Sequence, residues 1–277
     1  MTANSNALFQ LFKYVVYVLL GMNIYWFFDE ESAAAVLQFS SGVGAEDLIE
    51  AYSSTIDTAA WVVLLLLFEL ETYVLEDRHF TKAVTRSLHG LRVLCYAFIV
   101  YAFYGYVENL IFHYEITPLA GVSNLCTLVP ENWSWADTLD EYVTLTRTNC
   151  ATLSDASIFY QFKDMTAAVD AQGLKEIRYL AWVDVINAAV WLLVVLVLEI
   201  DVRLQERGRF EGRALKASNA TKVALYSVLF LAAVYWGFKG DFVDFWDAFL
   251  WLVAFVFIEL NVFEWRKEEL AEAAAIE

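Results

Sequence analysis

The 277-residue chain is 60% hydrophobic and 17% aromatic and carries a formal net charge of −17. A soluble domain would have to bury apolar runs as long as WVVLLLLF at 61–68 and FLWLVAFVFI at 249–258, whereas a bilayer accepts them as helices that close their own hydrogen bonds. The negative charge would be repelled by phosphate backbones, which excludes nucleic acid and leaves the lipid bilayer as the first partner.

In chain order, apolar stretches predict six spans, at about 9–28, 54–75, 91–112, 179–200, 222–239 and 242–263. They imply an all-α polytopic protein, with 1–277 forming one membrane domain. The first stretch could pass for a signal peptide, because SAAA at 32–35 looks like a cleavage site. Its length, its Tyr, Trp and Phe content, and a pattern shared with internal helices argue for a span. The segment 29–57 that follows is wholly acidic, with Asp29, Glu30, Glu31, Glu46, Asp47, Glu50 and Asp57. Loop 76–92 instead carries Arg78, Lys82, Arg86 and Arg92, and loop 201–222 carries Arg203, Arg207, Arg209, Arg213, Lys216 and Lys222. Basic loops stay on the cytoplasmic side. Both termini are therefore expected in the cytoplasm, in a plasma membrane or a bacterial inner membrane.

Between spans three and four lies a long outer segment, 113–178, holding Cys126, Cys150 and both prolines, Pro118 and Pro130. The outer compartment is oxidising, so a Cys126–Cys150 disulfide bracing this segment is expected. Trp133 and Trp135 beside Pro130 predict a small folded cap or an interfacial segment. Cys95, inside span three, reads as a small core residue.

An internal repeat organises the rest. Shifting 57–107 by 130 residues places Trp61 on Trp191, Glu69 on Glu199, Glu71 on Asp201, Arg92 on Lys222 and Tyr96 on Tyr226. A further shift of 60 carries Asn187 to Asp247, Trp191 to Trp251, Glu199 to Glu259 and Asp201 to Asn261, and Asp184 to Asp244. Even-numbered spans thus share an outer Asp or Asn, then Trp, then Glu with a second polar residue two positions on. Odd spans open with a basic residue and a Tyr one turn later: Lys13 and Tyr17, Arg92 and Tyr96, Lys222 and Tyr226. The expected architecture is three repeated helical hairpins.

Each shared Glu falls about 18 Å along its helix from the outer Asp or Asn, near the inner boundary of the bilayer and level with the basic residues. Two readings of this layer compete. In one, Glu69, Glu199 and Glu259 converge and bind or pass a cation beneath an outer acidic mouth of Asp57, Asp184, Asp244 and Asp247. In the other, carboxylates pair with Lys13, Arg92 and Lys222 of neighbouring helices and fix the packing. Glu69 and Glu71 stand about 200° apart and cannot both face inward; the invariant set of Glu is expected to do so. The Trp positions match an aromatic belt, and the outer Asp positions match helix N-caps.

No HExxH, GxSxG, P-loop or CxxC pattern occurs, and His79, His89 and His113 all lie outside the spans. Enzyme chemistry and haem are not expected, and no cofactor is assigned. Smooth midplanes lack the Gly or Pro breaks common in secondary transporters. The favoured expectation is a cation-interacting channel or transport protein with cations as its ligand. The alternative is a non-catalytic scaffold or subunit of a larger membrane complex. Either is expected to form a homo-oligomer or to join a complex.

Overall fold

Long helices follow from uninterrupted apolar sequence, and the computed structural model describes residues 3–39, 42–71, 75, 81–156, 158–207 and 210–255, among which there are seven helices, six of them long. They are α1 (Ala3–Gln38), a short α2 (Leu48–Ala51), α3 (Ser53–Glu69), α4 (Lys82–Phe112), α5 (Ala171–Glu206), α6 (Gly212–Lys239) and α7, helical over 242–255. Four of them contain stretches long and apolar enough to cross a membrane: Gln10–Gln38, Lys82–Phe112, Ala171–Gln205 and Gly212–Lys239.

The expectation of six such helices therefore needs correction. Stretch 54–75 falls short because α3 has only 17 residues and passes into a wider π turn at Leu70 and Glu71. At about 1.5 Å per residue it reaches about 26 Å, less than the hydrocarbon core of about 30 Å. Two carboxylates, Glu69 and Glu71, arrive where the apolar run ends. The last stretch is described only to residue 255, and 256–263 lies outside the described residues.

The other helices outrun their apolar segments. Thr81 caps α4 by accepting from the Val84 amide at 3.3 Å. In α5, Gln172 donates to Glu176 one turn on at 2.6 Å, extending the helix before the apolar run begins. Gly240, with φ of 85°, takes the left-handed conformation that ends α6.

The all-α expectation is also corrected. Segment 113–178 carries a five-stranded sheet of β1 (Ile116–Pro118), β2 (Ser134–Ala136), β3 (Tyr142–Thr144), β4 (Phe159–Phe162) and β5 (Ala167–Asp170). Its order is β1-β4-β5-β2-β3, antiparallel except between β2 and β5. Strands of three or four residues leave no readable alternation, and the sheet therefore stays silent in the sequence. Beneath it Trp133, Trp135, Leu125, Leu145, Phe159 and Ala168 form a core, so the tryptophans belong to a folded cap. The expected disulfide joins Cys126 to Cys150, with Cα atoms 4.9 Å apart.

The chain divides into two compact units, Ile24–Leu196 and Met1–Asn23 with Val197–Glu277. Within the first, α4 packs on α2 at Gly105, where a Cβ would stand 2.5 Å from the Ile49 carbonyl oxygen. The cap is tied to α5: Arg178 Nε donates to the His113 carbonyl at 3.0 Å and its guanidinium lies 4.3 Å from the Tyr114 ring centroid. One turn on, the Trp182 indole donates to the Tyr114 hydroxyl at 3.2 Å.

Burial recurs in step with the repeat. Trp61, Trp191 and Trp251 are all buried, as are Ala60, Val190 and Leu250 just before them and Thr58, Ala188 and Ala248. On the odd helices, Leu20, Ile99 and Leu229 stand seven positions past the basic residue, and Asn23, Ala102 and Ala232 stand ten past it; all six are buried. Trp61 and Trp191 touch, with ring centroids 5.8 Å apart.

Candidate functional site

Polar residues gather at two positions of the repeat. In one unit the acidic end of α3 faces the basic start of α4, and in the other the acidic end of α5 faces the basic start of α6. Arg92 Nη2 donates to Glu71 Oε2. Lys222 Nζ lies 3.2 Å from Asp201 Oδ2, which also accepts from Ser218 Oγ at 2.6 Å. The Asp201–Lys222 pair is largely enclosed and the Glu71–Arg92 pair half-buried, and both use the second acidic position of the repeat.

The first acidic positions differ from one another. Glu69 is buried in its unit. Glu199 belongs to the other unit and lies on the surface, bonded to Arg203 one turn on at 3.0 Å, an exposed pair worth about 0.3–0.5 kcal/mol. Lys13 is fully buried, its ammonium 5.0 Å from the Tyr14 ring centroid. Glu259 and Asn261 lie outside the described residues.

At the Asp positions expected to form an outer mouth, Asp57 and Asp184 of one unit and Asp244 and Asp247 of the other are each half-buried and sit within helices. Capping falls to other carboxylates. Asp241 accepts from the Asp244 amide at the start of α7. Glu31, from α1, closes α3 by accepting from the Ser54 amide at 2.7 Å and from the Thr55 amide and hydroxyl at 3.1 and 2.6 Å. A carboxylate there meets both the free N–H groups and the positive end of the helix dipole. Asp247 accepts from Asn23 Nδ2 at 2.7 Å and from the Trp251 indole. In this copy the shared Asp-x3-Trp spacing thus lets a Trp donate back one turn along its own helix.

Within the unit Ile24–Leu196, a narrow polar recess gathers Glu31 of α1, Glu50 of α2, Asp140 of the cap and Asp184 of α5, together with Tyr106 and Asn109 of α4. Burial and the nearby Glu108 charge push Glu50 above the usual carboxylate range, while Gln38 donates to it at 2.9 Å. The Asn109 side-chain oxygen is buried and accepts no hydrogen bond from the described residues. His113, one turn beyond, directs Nδ1 to the Asn109 carbonyl at 2.7 Å, and burial lowers its pKa to about 4. Among the described residues, no group of three His, Cys, Asp or Glu is placed to hold a metal ion.

Compared with models of known families, with curated proteins and with solved structures, the chain matches none.

Of the outer residues expected from the repeat, only Asp184 reaches the recess. Glu31 and Glu50 belong to the acidic run 29–57 but carry no repeat signal that would single them out. Asp140 comes from the cap, whose fold hydropathy does not reveal. Asn109 could have been found as a polar residue close to the outer end of an apolar run.

Proposed function

We propose that this chain is a non-catalytic membrane scaffold or subunit of a larger membrane complex, built on a repeated helical-hairpin pattern with both termini cytoplasmic. One observation carries the reading: the pairs Glu71–Arg92 and Asp201–Lys222 recur at positions related by the 130-residue shift. A transport layer needs carboxylates open to an incoming cation, and these two are already neutralised by the next helix. Shared burial of the aligned Trp and small residues supports the hairpin repeat. Native mass spectrometry of the chain released gently from its membrane tests the proposal. A homo-oligomer or a complex with another membrane protein is expected. A monomer that passes cations across vesicles would overturn it.

A second reading, a cation-interacting channel or transport protein, is supported by the recess, where four carboxylates from separate elements meet the unpartnered Asn109 oxygen. Cation flux in vesicles containing the pure chain, lost in Asp184→Asn and kept in Glu199→Gln, is its expected signature. No flux in the parent protein would remove it.

A further inference from the structure

Asn23 is the one polar residue that interrupts the apolar face of α1 between Tyr17 and the outer end of its span, and it is fully buried. Its Nδ2 donates to Asp247 Oδ1 at 2.7 Å. Its own side-chain oxygen is buried and has no hydrogen-bond partner among the described residues. Asp247 receives a second hydrogen bond from the Trp251 indole. Both donors are neutral.

Counting donors shows what is missing. An ionised carboxylate only accepts, and so does the Asn23 amide oxygen. Reversing the amide would not help, because it would turn that oxygen toward the carboxylate and leave two acceptors face to face. A half-buried carboxylate with only neutral donors around it among the described residues is costly to keep ionised. One added hydrogen removes both difficulties: a carboxyl O–H donates to the amide oxygen while the amide N–H donates to the carboxyl's other oxygen. The two side chains then form a closed, reciprocal acid–amide pair with no net charge.

We infer that Asn23 and Asp247 form a proton-binding site within the membrane, in which Asp247 takes one proton from water and is held as a neutral carboxylic acid. The step is a simple protonation, carboxylate plus proton giving the acid, and it needs no co-reactant. It stands apart from the scaffold proposal, because neither the Glu71–Arg92 nor the Asp201–Lys222 pair takes part.

Infrared spectra of the full chain in lipid at neutral pH test it. The parent should show a protonated-carboxyl C=O band that moves in heavy water and is missing from Asp247→Asn. Should Asp247→Asn fail to fold, aspartate labelled with carbon-13 in the parent and in Asn23→Ala gives the same answer. Loss of the amide should then shift one labelled acid band. Spectra unchanged in both variants would overturn the site, since Asp247 would be ionised. So would a band that disappears when sodium or potassium is added, because a metal cation would then be the occupant.

Discussion

Lys222 reaches Asp201 at 3.2 Å, closing the α5–α6 turn from a position 21 residues further along the chain, and Arg92 spans the same interval to Glu71. Ser218, one turn before Lys222, donates to the same carboxylate oxygen. Asp201 is therefore held by one charged and one neutral donor, a better-satisfied arrangement than an isolated pair. Lys222→Met should strand a largely buried carboxylate and lower stability, by less than the about 3–5 kcal/mol of a fully buried pair because some solvent reaches it. Melting in detergent checks this, and the exchange Asp201→Lys with Lys222→Asp should recover most of the loss. Glu199→Gln should change stability by no more than about 0.5 kcal/mol, because its partner Arg203 is exposed.

Gly105 should tolerate no side chain. The Cβ of Gly105→Ala would fall 2.5 Å from the Ile49 carbonyl, a backbone atom that can move only with α2. Overpacking of this kind costs about 1–3 kcal/mol. Gly21→Ala, where a Cβ would meet nothing within 4 Å, is the matching control and should leave the melting temperature unchanged or slightly higher.

The Cys126–Cys150 bridge closes a loop of 24 residues in sequence separation. Loop-closure entropy then assigns the cap about 3 kcal/mol of stabilisation. Reduction should make the cap melt earlier, followed by the fluorescence of the buried Trp133 and Trp135, while helicity by circular dichroism changes little. Alkylation without reductant should leave Cys126 and Cys150 unmodified in the intact mass; two adducts on them would contradict the bridge.

His113 predicts an acid-side loss of stability. Its folded pKa of about 4 lies below its ordinary 6.5, chiefly through burial. The unfolded chain therefore binds the proton first as pH falls. Stability is full above about 6.5 and drains away toward about 4, by up to about 3 kcal/mol. Glu50 works in the opposite sense, since its raised pKa favours the folded state at low pH and withdraws that support as pH rises. The difference between parent and His113→Gln across this interval is the informative measurement. Equal slopes would show that His113 titrates normally.

Much of the helical framework was readable because hydropathy reports where lipid can touch a helix. It does not report where a helix stops, and so α4 and α5 begin well before their apolar runs while α3 ends early at Glu69. The repeat was readable in Trp61, Trp191 and Trp251, whose side chains are too distinctive to align by chance. Which carboxylate meets the base was not: Glu69 and Glu71 differ by about 200° of helix phase, and only the path of the following turn decides which one Arg92 can reach. The recess stayed hidden because its lining comes from six separate parts of the chain with no common spacing.

Strand β5 ends at Asp170 and α5 begins at Ala171, with no linker between them. Asp170 Oδ1 accepts from the Gly173 amide at 2.6 Å, and a Cβ at Gly173 would already crowd Val169 at 3.0 Å. Arg178 and Trp182 add two further anchor points at His113 and Tyr114. The junction has no slack to act as a hinge. A force applied to the sheet would therefore pass into the first turns of α5 as tension and torque along the helix, with nothing at the joint to absorb it.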